Sequence, residues 1–190
     1  MDNIVKKMRS SALNGTLIGA LALAAITSGT AHAATQGTLG ATSTGSITIS
    51  ASVPNRARIT GLTDVTFTNQ DPNTAASSAQ NVCLWSNTAT KGYTITATGS
   101  GTASAFTLAN GTLTVPYSVQ WSASSGQTSG TALTAATASA GLVSTATQQT
   151  CSSGPTSSAS LIAGISTTDL GGMQAATTYT GTLTLVVTPV

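Results

Sequence analysis

Between residues 179 and 188 the chain alternates in steps of two. Tyr179, Gly181, Leu183, Leu185 and Val187 fall on one face; Thr180, Thr182, Thr184, Val186 and Thr188 fall on the other. Period-2 alternation marks a half-buried β-strand, because successive side chains of a strand point to opposite sides. A strand this apolar on one face needs a neighbour on each side. The sequence stops two residues later, at Pro189-Val190. The missing neighbour is therefore expected from elsewhere.

The opening residues read differently. Lys6, Lys7 and Arg9 precede an apolar run at 17–26, followed by Ala31-His32-Ala33. A basic stretch, a short apolar core and a small-x-small site make a secretory leader, with cleavage expected between Ala33 and Ala34. The apolar run is too short to span a bilayer, which needs ~20 residues. Residues 1–33 are thus set apart as a signal peptide. The remainder, 34–190, has the size of one domain.

Removing the leader removes the net charge. The remaining cations are Arg56, Arg58 and Lys91, and the remaining anions are Asp64, Asp71 and Asp169. No basic patch is present for nucleic acid. Two cysteines remain, Cys83 and Cys151. An even count in an exported chain implies a disulfide, and two cysteines allow one connectivity. That bridge closes a loop of about 69 residues, which the chain-entropy model values at roughly 4 kcal/mol.

Along the chain, strand signals recur at short intervals. Residues 34–45 are small and polar, with Leu39 the one large side chain, and read as a flexible arm. Ile47, Ile49, Ala51 and Val53 alternate with serines and threonine up to Pro54-Asn55. Further strands are expected over 58–62, 64–69, 79–85 and 93–97, with Val65 and Phe67 turned inward. Asn110-Gly111 between two apolar triplets is a strong hairpin signal, and Pro116 places an edge or bulge after it. Residues 117–121 continue the alternation. Residues 122–150, rich in Ser, Ala, Thr and Gly, read as a long loop with one or two weak strands. A strand at 161–165 and a turn at 168–172 precede the closing strand. Seven to nine short strands with almost no helical pattern predict an all-β sandwich.

Catalysis is excluded on inventory. Beyond the leader the chain has no His and no Glu, so His-assisted nucleophiles are unavailable. Its aspartates stand in contexts where Asp caps its own backbone. Two cysteines cannot make a four-ligand zinc site, and no phosphate-cradling glycine motif is present. No enzyme activity, cofactor or metal is expected. Trp85 and Trp121 read as core beside the disulfide rather than as sugar-stacking platforms. Arg56 and Arg58 read as a solvated edge that blunts aggregation.

The order GSITISASV, a cysteine at 83, GYTITATGSG and the closing TYTGTLTLVVTPV resembles the chaperone–usher pilins, most closely the archaic class with spore-coat-protein-U-like domains. The resemblance covers about residues 45–190, and residues 122–158 match only as loop. It implies an incomplete immunoglobulin-like Greek-key β-sandwich, completed by a donor strand from another subunit through β-strand addition. Carried onto this chain, Ile47, Ile49, Ala51 and Val53 are the donor residues, within an arm and donor strand at 34–53. Tyr179, Leu183, Leu185 and Val187 line the acceptor groove, within a pilin domain at 54–190. Burying four such side chains at about 25 cal/mol per Å² is worth several kcal/mol per junction before ordering costs.

The implied partners are other copies or related subunits, a periplasmic chaperone that fills the groove beforehand and an outer-membrane usher. The implied location is a surface pilus reached through the periplasm, serving adhesion or biofilm formation. The family commonly pairs a cysteine in its first strand with one near position 83. Here SVPNRARITGL has none, which marks a divergent member and leaves Cys83 to Cys151. Either 34–45 or 46–53 then serves as donor; with only Leu39 to offer, the former is the poorer candidate. The competing expectation is a secreted β-sandwich that completes itself and binds a ligand such as a carbohydrate.

Overall fold

The computed structural model describes residues 33–190, so the leader expected at 1–33 lies, but for Ala33, outside the described residues. The chain divides into two units between Ala51 and Ser52, two residues ahead of the expected boundary. In the first unit Thr35 and Ser46 form an antiparallel bridge, each N–H donating to the other's carbonyl at 2.9 Å. The arm read as flexible thus turns back on itself. Residues 47–51 form no ladder, although their alternation is that of a strand.

The second unit, Ser52–Val190, is all-β apart from two short turns of helix. Its strands are β1 (Ala57–Thr60), β2 (Ala76–Ser86), β3 (Gly92–Gly99), β4 (Thr107–Asn110), β5 (Leu113–Pro116), β6 (Ser118–Ser122), β7 (Thr131–Ala132), β8 (Leu142–Val143), β9 (Ala159–Ile165) and β10 (Leu183–Pro189). One sheet has the order β1-β2-β9-β6-β7 and a second the order β10-β3-β8. All pairings are antiparallel. Strands β4 and β5 make a separate hairpin, turned by Gly111 at φ +59°, a conformation that glycine adopts without a Cβ clash. The segment expected to be a turn at 168–172 is a short helix, α1 (Thr167–Gly171), capped by Ser166, whose hydroxyl accepts from the Asp169 N–H.

The two sheets pack face to face over one apolar cluster. Val82 and Leu84 of β2, Ala159 and Leu161 of β9, and Val119 and Trp121 of β6 meet Tyr93 and Ile95 of β3. At its centre Trp121 Nε1 donates to the Tyr93 hydroxyl at 3.0 Å, with the rings edge to face. Burial holds the Tyr93 hydroxyl above its ordinary pKa, and the Trp121 hydrogen bond opposes that shift.

On the opposite face of β2, Cys83 is bonded to Cys151, their Cα atoms 5.8 Å apart. The bridge, Ala146 and the half-buried Trp85 form a satellite cluster. Ser144 and Ser158 both donate to the Leu84 carbonyl, and the Leu84 N–H donates to Ser158 Oγ at 2.8 Å. The loop chain thereby satisfies backbone groups of β2 that no strand reaches. Trp121 is core as expected, and Trp85 covers the disulfide.

Candidate functional site: an open apolar groove

The larger sheet ends at β1 and the smaller at β10. These edges contact one another on the same side of the sandwich. Beside that contact, between the segment that follows β1 and the one that leads into β10, runs a groove of about 1150 Å³. One wall is the segment 62–70, which includes the strand expected at 64–69 but has no ladder partner. The other wall is 173–183 together with Leu185.

The floor comes from β9, β4, α1 and the link between β5 and β6. Leu161, Ala163 and Ile165 alternate along β9 and face into the groove, and Leu108, Tyr117 and Leu170 close the rest. Tyr179, Ile165, Leu170, Ala76 and Val115 form a second apolar cluster there, with Phe67 against it. Tyr179 also accepts a hydrogen bond from the Gln174 N–H at 3.0 Å, which fixes the bend ahead of β10. Residues 178–181 are pressed against the hairpin. Thr180 bridges Ala109, and Asn110 Nδ2 donates to the Thr178 carbonyl at 2.7 Å. A Cβ on Gly181 would meet the Thr107 carbonyl at 2.8 Å, so this close approach needs a glycine.

The expected acceptor residues fall into two groups. Tyr179, Leu183 and Leu185 line the groove. Val187 shares their face of β10 and packs against the main cluster beyond the groove. Leu183, Leu185 and Val187 stay half-buried, in line with a strand that has β3 on one side and no partner on the other among the described residues. The expected donor residues are all exposed: Ile47 by 73%, Ile49 by 85%, Val53 by 75%, and Ala51 with them. Sequence reasoning missed the floor. Its signal is the run ASLIAGI at 159–165, whose members are nearly all buried and so lack alternation.

The groove is poor in charge. Among the described residues Asp64 is the one charged side chain that lines it. The Tyr117 hydroxyl is buried without a hydrogen-bond partner among the described residues, and burial holds its pKa above the ordinary value. Among the described residues no three His, Cys, Asp or Glu side chains gather where they could hold a metal ion. Asp71 instead accepts from the Asn73 N–H at 2.9 Å in a turn. The arrangement offers an apolar floor between walls rich in threonine and glutamine, flanked by backbone with hydrogen bonds to give, which suits an extended peptide. No family model matches this chain, and a search of the curated proteins returns no match.

Proposed function

We propose that the chain is a structural subunit of a surface pilus, polymerised by donor-strand exchange and serving adhesion or biofilm formation. One observation carries this reading: the domain has an open groove with an apolar floor, and the same chain carries an exposed alternating segment of matching length. The stretch 47–53 and the groove wall 179–185 each have seven residues, about 20 Å at the ~3.3 Å rise of a strand. Ile47, Ile49, Ala51 and Val53 of one copy enter the groove of the next. There they meet Leu161, Ala163 and Ile165 on the floor and Tyr179, Leu183 and Leu185 on the wall. Backbone pairing with the free edge of β10 supplies affinity, and the alternate side chains supply register.

On this reading a periplasmic chaperone occupies the groove before assembly, and an outer-membrane usher mediates the exchange. The test is deletion of residues 46–53. The deleted chain is expected to fold, keep its disulfide and form no fibres. Fibres from the deleted chain in a chaperone–usher background would show that the donor lies elsewhere. An unaltered chain that stays a stable monomer without a chaperone would instead favour the self-complete binding module.

A further inference from the structure

The charged side chains of the described domain are sorted by position. Arg58 pairs with Trp85 near the end of β2, and Arg56 precedes β1, its N–H donating to Asn87 Oδ1 at 2.6 Å. Lys91 closes the turn from β2 to β3. All three cations therefore lie at the pole where β2 ends. Asp71 lies in the turn just before β2 begins, and Asp169 lies in α1 just after β9. The strands β2 and β9 meet there, Ala76 opposite Ile165. Asp64 follows Thr63, whose N–H donates to Gln80 in the same half of β2. The strand between these poles has 11 residues, roughly 33 Å at ~3.3 Å per residue.

This sorting coincides with the groove. Pro72 and Leu170, the neighbours of Asp71 and Asp169, line its end. Arg56 follows Val53 by three residues, and Asn87 Nδ2 holds the Pro54 carbonyl at 2.9 Å. The segment 54–56 is thus pinned to its own domain. A Val53 seated in a neighbour's groove would draw the basic pole against that neighbour.

Building on the donor-strand reading, we infer that successive copies dock pole to pole. Arg56 and Arg58 of the donating copy face Asp71 and Asp169 of the accepting copy. Strand direction decides this. Along β10 the chain runs from Leu183, opposite Gly99, to Pro189, opposite Tyr93, and so toward the basic pole. A donor lying antiparallel to β10 places Val53 at the acidic end, and opposite charges meet. A parallel donor places Val53 at Leu185, on the side of the basic pole, and turns like charges toward each other. The charges therefore select the strand's direction as well as steering encounter, an effect worth about 10–10³ in association rate.

The experiment follows polymer growth of the exported chain by light scattering at low and high salt. Arg56→Glu with Arg58→Glu is expected to slow growth about tenfold at low salt. Asp71→Lys with Asp169→Lys should do the same. The variant carrying all four changes should return to within about threefold of the unaltered rate, since complementarity is restored. Arg56→Lys with Arg58→Lys should leave the rate unchanged, and high salt should shrink every difference. Growth indifferent to all these charges overturns this inference alone. Faster growth of the Arg→Glu variant points to parallel insertion and overturns it as well. An unaltered chain that never polymerises overturns both this inference and the pilus reading.

Discussion

Strands β3 and β10 lie side by side in one sheet, paired residue by residue, and both alternate apolar with polar. Their fates differ. Tyr93, Ile95 and Ala97 of β3 are fully buried, while Leu183, Leu185 and Val187 of β10 remain half-exposed. Composition does not explain this, since β10 is the more aliphatic strand. Position does: β3 is hydrogen-bonded to strands on both sides, whereas β10 is so paired on one side only among the described residues. Alternation determines which face a side chain takes, and the number of neighbours determines how far that face leaves water.

Four substitutions probe this contrast, the largest effect first. Ile95→Ala removes a fully buried side chain of β3 and should lower unfolding free energy by about 3 kcal/mol in urea titrations. If the loss is under 1 kcal/mol, the centre of the sandwich is softer than described. Tyr93→Phe strips the acceptor from Trp121 Nε1 and should cost about 1–2 kcal/mol. The same tyrosine carries a pH signature. Its folded pKa is raised above 10.0, so its contribution is intact below that pH. Stability is then lost as pH rises through the folded value, because the unfolded chain releases the proton first. Denaturation midpoints taken from pH 9 to 11 should fall in the unaltered chain and fall less in Tyr93→Phe.

Leu185→Ala should cost the isolated domain about 1 kcal/mol, since the side chain is only half removed from water. Its larger consequence belongs to the filled groove. A peptide of residues 46–53 should raise the melting temperature of the domain, and raise it less in this variant. Equal shifts in both would place the peptide elsewhere. Val186→Thr, on the outward face of β10, should change stability by under 0.5 kcal/mol.

The fold was largely legible. The strands around Tyr93 and Leu185, the hairpin at Asn110-Gly111, the weak strands within 122–150 and the Cys83–Cys151 bridge were all readable, each from a local signal of period, turn chemistry or count. What escaped lacked such a signal. The first half of β2, ASSAQN, is polar and shows no alternation, yet Ala76 to Val82 pair fully with β9. Helix α1 is too short for a 3.6-residue period, although Ser166 and Asp169 stand in capping positions. The segments at 47–51 and 64–69 carry strand patterns but no ladder, because pattern records which face is apolar and not whether a partner is present. Of the groove, one wall could be named in advance. Its floor could not, because β9 is buried on both faces and reads as a plain apolar run.

The disulfide has one more consequence, for resistance to digestion. Beyond residue 32 a trypsin-like protease has three sites to cut, after Arg56, Arg58 and Lys91, all of them exposed. Lys91 lies between Cys83 and Cys151 in sequence. A nick there leaves both fragments joined by a covalent bond and by the sheets they share. A cut after Arg56 or Arg58 falls outside that loop and leaves the segment ahead of it held only by the hydrogen bonds of Asn87 to Pro54 and Arg56. The body of the domain can outlast such damage, while the segment ahead of it loses its covalent tie to the fold.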